Sequence, residues 1–283
     1  MATRIISAAI AIPVGILIIA LNNEIIYYIA MAIFSIAAVY ELLVATKYLK
    51  NHTISALSLI FTAITPFCFW LKELKQNIRM IYFVFLIALF VVMLFKHEKT
   101  RFEQVALTAA ISIAIPLALS SIAFIRTVFP EHAIFLIVYT MISVWIGDAG
   151  AYFVGTLCGK HKMCPKISPK KTWEGFVGGL VTSAVFAVIM CFAYELIDSM
   201  INNGQHTFTV NWLYLTALAV GISVLGVVGD LTASLVKREC SVKDFGNFLP
   251  GHGGILDRFD SVLMAAPFAY LMYQLYFPIT PIA

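Results

Sequence analysis

Residues 78–95 read IRMIYFVFLIALFVVMLF, an apolar run in which Arg79 carries the only charge. About 20 such residues in a helix cross a hydrocarbon core roughly 30 Å thick. The whole chain repeats this pattern, since 61% of its 283 residues are hydrophobic and 12% are charged. Soluble domains contain about 25% charged residues, because their surfaces must face water. The sequence therefore predicts an integral membrane protein.

Nine apolar spans can be drawn, and they predict an all-α polytopic protein with about nine transmembrane helices. The first span could be a signal peptide, but Leu21-Asn22-Asn23-Glu24 is not a small-residue cleavage site, so we expect the span to be retained. The spans are Ile5–Leu21, Ile25–Val44, Ile54–Leu71, Ile78–Phe95, Val105–Ile125, Ala133–Leu157, Phe176–Ile197, Trp212–Val236 and Ile255–Phe277.

The positions of Lys and Arg predict the orientation. With the N-terminus inside and the C-terminus outside, inner segments hold 15 basic residues and outer segments hold 4. Positive charge is enriched on the cytoplasmic side of membrane proteins. The four outer residues are Lys72, Lys75, Arg79 and Arg126.

The two halves of the chain differ in polarity. We interpret residues 1–130 as a transmembrane scaffold and residues 131–283 as the catalytic region. In the scaffold, Glu41 lies near the inner end of the second span, and we expect it to sit at the membrane interface. The five cysteines form no pairing or zinc pattern, so we expect free thiols, with Cys68 and Cys191 inside spans.

Two polar blocks interrupt the second half, and both fall on the predicted inner face. One runs from Gly147-Asp148 to Ile167-Ser168-Pro169-Lys170-Lys171-Thr172-Trp173-Glu174-Gly175. The other runs from Gly229-Asp230 to Asp257-Arg258-Phe259-Asp260. We expect the chemistry of the protein to reside in these blocks.

The carboxylates of these blocks lie in or next to apolar spans, where a charge costs about 2.5–3.5 kcal/mol. Asp148 and Asp230 lie within spans, and Asp257 and Asp260 open the ninth span at i, i+3. Such acids are best explained by a wet cavity and a shared cation, and oxygen ligands favour Mg²⁺. We therefore expect three or four of these acids to share one cation. The alternative for Asp257 is a buried ion pair with Arg258 or another basic residue.

Basic residues and glycines accompany these acids. Asp230, Ser234 and Lys237 are spaced i, i+4, i+7 and share one face of a helix. Loop residues supply Lys170, Lys171, Lys243 and His252, and lysine and arginine neutralise triphosphate. The glycines Gly251, Gly253 and Gly254 could bring backbone N–H groups to a phosphate near a helix N-terminus. The GxxxG pairs Gly155–Gly159 and Gly175–Gly179 predict helix packing, while Gly155–Lys160 is one residue too short for a P-loop.

The second block resembles the signature of the phosphatidate cytidylyltransferase (CDP-diacylglycerol synthase) family. The matching stretch is Ser234-Leu-Val-Lys237-Arg238, four residues, Lys243-Asp244, then Pro250-Gly-His252-Gly253-Gly254-Ile-Leu-Asp257-Arg258-Phe-Asp260. The first block is similar to a second region of the same family. Together these regions cover about residues 145–260, and the N-terminal spans match only in hydropathy.

The resemblance implies transfer of cytidylyl from CTP to phosphatidate, with release of pyrophosphate. It implies Mg²⁺ at Asp230, Asp257 and Asp260, a second cation such as K⁺, and a homodimer. We predict Asp230, Asp257, Asp260 and Lys237 as catalytic residues. The predicted substrate-binding residues are Ser234, Arg238, Lys243, Asp244, His252, Gly253, Gly254, Arg258, Lys170, Lys171 and Asp148.

Three alternatives are weighed against this prediction. A CTP-dependent polyprenol or phytol kinase would release CDP rather than pyrophosphate. A CDP-alcohol phosphatidyltransferase is disfavoured because its D-G-x-x-A-R motif is absent. A transporter could also carry buried acidic and basic residues but would not require the Gly-His-Gly-Gly segment.

The expected partners are CTP, phosphatidate and membrane lipids, without nucleic acid. The expected location is a bacterial inner membrane, with the active site facing the cytoplasm.

Overall fold

The structure is a computed structural model that describes residues 2–248, 251 and 253–282. The side chains of residues 2–8 and 10–12 lie outside the description, and so do Leu249, Pro250 and His252 of the predicted signature. The helices are, in chain order, α1 (Ala2–Leu21), α2 (Glu24–Ala45), α3 (His52–Trp70), α4 (Lys72–Gln76), α5 (Ile78–Phe95), α6 (Phe102–Val128), α7 (Ala133–Cys158), α8 (Trp173–Ile201), α9 (Trp212–Glu239) and α10 (Leu256–Leu275).

Two short two-stranded sheets accompany the helices. Strands β1 (Lys162–Cys164) and β2 (Ser168–Thr172) pair antiparallel between α7 and α8. Strands β3 (Phe208–Val210) and β4 (Ile279–Pro281) pair antiparallel, with Thr209 opposite Thr280. The predicted all-α class is therefore confirmed, with these sheets as small additions.

Seven helices in the described part of the chain are long and apolar enough to cross a membrane: α2, α3, α5, α6, α7, α8 and α9. Each coincides with one of the predicted spans. The helices α1 and α10 are not in this set. The first turn of α10 contains Asp257, Arg258 and Asp260, which lowers its apolar character.

The chain forms two compact units. Unit 1 comprises residues 1–128 and 237–259, and unit 2 comprises residues 129–236 and 260–283. The interpretation of residues 131–283 as the catalytic region concerns function rather than packing, and it stays a prediction.

In unit 1, helices α2, α3 and α6 pack together, and α5 lies against α3 and α6. The centre of the α3–α5 contact is Phe61, whose ring stacks on Phe85 with centroids 3.8 Å apart. Ile54, Leu89 and Val105 complete this buried cluster. The hydroxyls of Ser58 and Ser112, 2.6 Å apart, join α3 to α6 inside the apolar packing, where a polar group needs a partner.

In unit 2, α7 and α8 approach each other through glycines. A Cβ atom at Gly179 would lie 2.7 Å from the carbonyl oxygen of Gly147, and one at Gly175 would lie 3.0 Å from the Cα of Gly155. No side chain fits at such a backbone contact. The predicted packing role of Gly155, Gly175 and Gly179 is confirmed.

Both units contain helix starts that are capped locally. Asn23 accepts a hydrogen bond from the N–H of Ile25 at the start of α2. Thr172 Oγ1 accepts from the N–H of Gly175 at the start of α8, and Asn211 Oδ1 accepts from Tyr214 at the start of α9. These short polar side chains satisfy amides that have no partner inside the helix.

Candidate active site

The predicted site residues of unit 2 converge from four elements. Asp148 lies on α7, Lys171 on β2, Asp230 on α9 and Asp260 on α10. Lys170 and Lys171 thus belong to a strand rather than to the irregular loop that the sequence suggested. The β1–β2 hairpin is held at the start of α8, because the N–H of Trp173 donates to the carbonyl of His161 over 2.9 Å and His161 Nδ1 lies 2.5 Å from Glu174 Oε1.

The central contact of this group is an ion pair between Lys171 and Asp230. The Lys171 Nζ atom lies 2.6 Å from Asp230 Oδ2, and the two side chains are 22% and 30% exposed. The Lys171 Nζ atom nevertheless forms no hydrogen bond with a described residue. Its contact with Asp230 is therefore an ion pair without hydrogen-bond geometry. Ser234 Oγ lies 3.5 Å from Asp230 Oδ1, in agreement with the shared helical face predicted for these two residues.

Asp148 is the second carboxylate of the group. Its Oδ2 accepts a hydrogen bond from Ser261 Oγ over 3.1 Å, and the charges of Asp230 and Lys171 both act on it. Two like charges at short range are unfavourable unless a cation lies nearby. The Lys171 ammonium supplies that positive charge within unit 2.

The start of α10 reaches this group through a close backbone contact. A Cβ atom at Gly229 would lie 2.4 Å from the carbonyl oxygen of Asp260, so α9 and α10 touch beside Asp230. Asp260 Oδ1 accepts from the N–H of Ser261 over 2.8 Å. Glycine at 229 is what allows the backbone of α10 to lie against α9 at this level.

The predicted site residues of unit 1 surround Asp257. Its side chain is 3% exposed and forms an ion pair with Lys237, whose Nζ lies 2.9 Å from Oδ1. Its Oδ2 accepts from the N–H groups of Phe245, over 2.9 Å, and Gly254, over 3.0 Å. The alternative that Asp257 forms a buried ion pair is therefore realised, with Lys237 as the partner. An ionised carboxylate has about four acceptor positions, and donors among the described residues use three of those on Asp257.

The loop between α9 and α10 folds around this carboxylate. Gly253 adopts a φ of +85°, a left-handed conformation that favours glycine, and Lys237 Nζ lies 5.3 Å from the centre of the Phe245 ring. Lys243, Asp244 and Arg258 are exposed, as are Arg238 on α9 and Lys170 on β2. His252 lies outside the described residues.

Glu41 is a residue to which the sequence analysis assigned no partner. Glu41 is 4% exposed and its carboxylate is bound by the start of α10, while its expected position at the membrane interface stays a prediction. Oε1 accepts from the N–H of Ile255 and Oε2 from the N–H of Leu256, both over 2.8 Å. An acid in an apolar span was the available signal, but its partner lies more than 200 residues away in the sequence.

Among the described residues, no group of three or more His, Cys, Asp or Glu side chains is arranged to hold a metal ion by itself. Mg²⁺ does not require such a cage, since one or two carboxylates with water and substrate phosphates complete its octahedron. Asp148 and Asp230 are hard oxygen donors that influence each other electrostatically. The donors of unit 2 therefore fit a magnesium ion that is bound together with substrate phosphate.

An apolar groove of about 580 Å³ lies elsewhere on unit 2, along α7 and α8. It is lined by Val154, Trp173, Glu174, Val177, Gly178, Val181 and Thr182. None of these lining residues is among the predicted catalytic or substrate-binding residues, so the groove and the polar cluster share no residue.

Comparison with known proteins gives an independent indication of function. A sequence model of the cytidylyltransferase family matches residues 2–276. A phosphatidate cytidylyltransferase of Bacillus subtilis is 39% identical over 194 residues, which cover 69% of this chain and 67% of the relative. The phosphatidate cytidylyltransferase of Haemophilus influenzae is 45% identical over 144 residues, or 51% of this chain and 47% of that protein.

A third relative, the phosphatidate cytidylyltransferase of Staphylococcus haemolyticus, is 44% identical over 131 residues, or 46% of each chain. The aligned segments thus span between about half and two thirds of these relatives. The family match is not restricted to the polar blocks, because it extends over almost the entire sequence, including the N-terminal helices. By this match, the chain belongs to the cytidylyltransferase family.

Proposed function

We propose that the protein is a phosphatidate cytidylyltransferase, which converts CTP and phosphatidate to CDP-diacylglycerol and pyrophosphate. The observation that carries the proposal is the group formed by Asp148 and Asp230, on the apolar helices α7 and α9, and Lys171, on strand β2, in a cytidylyltransferase family member. The names of the three relatives support the same lipid substrate.

In the proposed reaction, an oxygen of the lipid phosphate attacks the α-phosphorus of CTP. A P–O bond forms at that phosphorus, the bond to the bridging oxygen of the β-phosphate breaks, and pyrophosphate leaves with the electron pair. The lipid phosphate is already an anionic nucleophile, so no covalent enzyme intermediate is needed. Catalysis then consists of positioning and charge neutralisation.

The roles of the residues follow from their charge. Asp230 and Asp148 would hold Mg²⁺, which supplies positive charge to phosphate oxygens when bound. Lys171 would neutralise phosphate once its contact with Asp230 is exchanged. The sharing of one ion by Asp230 and Asp257, the part of Asp260, and a second cation such as K⁺ stay predictions.

The remaining basic residues would bind the substrates. Arg238, Lys243, Arg258 and Lys170 are exposed, and exposed cations can form charge-assisted hydrogen bonds with triphosphate or lipid phosphate. Ser234, Asp244, Gly253 and His252 stay in the substrate-binding set by their place in the signature. The Gly254 N–H donates to Asp257, so we assign Gly254 to the shape of the loop rather than to direct phosphate contact.

Topology and location belong to the same proposal. Nine transmembrane helices, an inner N-terminus and an outer C-terminus would put the charged blocks of the signature on the cytoplasmic side, where CTP is available. The bacterial origin of the relatives supports the inner membrane as the location. A homodimer is a further prediction.

The test uses CTP labelled at two different phosphates. Purified protein is incubated with phosphatidate vesicles, Mg²⁺ and CTP carrying label at either the α- or the γ-position. Cytidylyl transfer puts α-label into the lipid phase and γ-label into pyrophosphate. A CTP-dependent lipid kinase would instead put γ-label into the lipid and release α-labelled CDP, and a transporter would consume no CTP.

A further inference from the structure

We propose that Glu41 is a positioning residue that fixes the loop between α9 and α10 by capping the N-terminus of α10. This inference rests on the proposed function, because the loop contains much of the cytidylyltransferase signature. Glu41 itself lies on α2, in a part of the chain where no motif residue was predicted. All of the contacts that carry the inference lie within unit 1.

The geometry of the cap is complete on both oxygens. Oε1 binds the N–H of Ile255 and Oε2 binds the N–H of Leu256, each over 2.8 Å. These amides lie at the start of α10 and have no partner within the helix. A carboxylate is favoured there, because the aligned peptide dipoles place positive charge at a helix N-terminus.

The surroundings leave the Glu41 side chain little freedom. A Cβ atom at Gly254 would lie 2.4 Å from Oε2, and one at Gly246 would lie 2.7 Å from Oε1. The middle of the loop, at Gly246, and its end, at Gly254, therefore both lie against this carboxylate, and both positions are glycine. Two turns before Glu41 on α2, Phe34 contacts Phe259 with ring centroids 5.0 Å apart. This second contact holds α2 to the first turn of α10.

The neighbouring residue Asp257 depends on the same arrangement. Its Oδ2 binds the N–H groups of Phe245 and Gly254, and its Oδ1 binds Lys237. Glu41 thus binds the two amides that follow Gly254, while Asp257 binds the amide of Gly254 itself. If the cap is lost, the backbone that presents Gly254 to Asp257 loses its fixed position.

The chemistry distinguishes a cap from a phosphate-binding terminus. In this structure the amides of Ile255 and Leu256 are used by Glu41, so an anion from the substrate is not needed to satisfy them. Glu41 touches loop backbone and is assigned no contact with CTP or lipid. Its effect on turnover would be indirect, through the shape of the signature loop.

The test compares Glu41→Gln with Glu41→Asp and with Glu24→Gln. Gln keeps the shape but offers one acceptor oxygen and turns an N–H₂ group toward the second amide. Asp keeps two acceptors on a shorter stem. Glu24 lies at the other end of α2, where it accepts from Thr127 Oγ1 over 2.8 Å, so Glu24→Gln makes the same chemical change away from the loop.

Two readouts are measured on the 283-residue chain in detergent, and phosphatidate is added only for the kinetic one. Hydrogen exchange reports on the peptide that covers residues 253–259, and steady-state kinetics give kcat and KM for CTP. For Glu41→Gln we expect hydrogen exchange in that peptide to be faster by about tenfold or more. We expect kcat/KM to fall by about tenfold or more, because a charge-assisted hydrogen bond is lost. Glu24→Gln should match the wild type, and Glu41→Asp should recover part of both effects.

Unchanged exchange in Glu41→Gln would overturn the cap, and faster exchange with wild-type kinetics would overturn the positioning role. If Glu41→Gln does not fold, the same two criteria apply to Glu41→Asp against the wild type. A wild-type protein that transfers no label from CTP to phosphatidate would refute the proposed function instead. The exchange measurement needs no substrate, so it would still decide whether Glu41 holds the loop.

Discussion

Lys171 Nζ lies 2.6 Å from Asp230 Oδ2, and this ion pair joins the β1–β2 hairpin to the middle of an apolar helix. The hairpin is polar and short, whereas α9 belongs to the apolar set of long helices. The ion pair therefore places the Lys171 ammonium of the polar hairpin next to the Asp230 carboxylate on an apolar helix.

Replacing Asp230 with Asn should abolish most turnover and leave the fold intact. Asn has nearly the same shape but lacks the charge that would hold a divalent cation, and removal of one such electrostatic group costs about 10²–10³-fold in kcat. The measurement is transfer of α-label from CTP to lipid at saturating Mg²⁺. Glu131→Gln, a loss of one negative charge between α6 and α7, serves as the control. Near-normal Mg²⁺-dependent turnover in Asp230→Asn would contradict the assignment.

Lys171 and Asp230 should behave as a coupled pair. Lys171→Met removes the ammonium beside two carboxylates, so we expect a loss in kcat/KM of about tenfold or more. Because the residues are in contact, the Lys171→Met/Asp230→Asn double variant should lose less than the product of the two single losses. Fully multiplicative losses in the double-mutant cycle would show that the two residues act independently.

Lys237→Met should destabilise the protein more than a substitution of an exposed lysine. The change leaves the Asp257 carboxylate, 3% exposed, without its cation, and breaking a buried pair in this way costs about 3–5 kcal/mol. Thermal unfolding in detergent measures the effect. Lys243→Met, at an exposed position of the same loop, should change stability by less than about 0.5 kcal/mol. Equal melting temperatures for the two variants would mean that the Lys237–Asp257 pair does not stabilise the fold.

Gly179→Leu should disrupt the packing of α7 against α8. Even its Cβ atom would lie 2.7 Å from the carbonyl oxygen of Gly147, so the helices would have to separate. Overpacking of this kind costs about 1–3 kcal/mol or more. Gly15→Leu is the matched control, because a Cβ atom at Gly15 meets nothing within 4 Å. Thermal unfolding should distinguish the two variants, and equal stability would argue against the close contact.

Metal removal gives a prediction that does not depend on any variant. If oxygen ligands and phosphates hold Mg²⁺ together, EDTA should abolish label transfer and added Mg²⁺ should restore it. Ca²⁺ should restore less activity, because it prefers longer bonds and more ligands. Full transfer of label in excess EDTA would exclude the proposed role of the metal.

The sequence alone determined the helical membrane character of this protein, and it located the polar blocks that contain Asp148, Lys171, Asp230 and Asp257. These features can be predicted from sequence because both signals are local: the length of an apolar run and the presence of a charged residue within it are seen in one segment of the chain. Glycine spacing likewise predicted the contact of α7 with α8. The sequence could also name Asp257 as either a metal ligand or a member of an ion pair.

Only the tertiary structure decided which groups meet. It paired Lys171 with Asp230 and Lys237 with Asp257, and it placed the Glu41 carboxylate at the buried N-terminus of α10. The hydrogen bond from Ile255 to Glu41 joins residues 214 positions apart. No local pattern encodes such a contact, because a buried carboxylate needs a donor but its own segment does not specify where along the chain that donor lies.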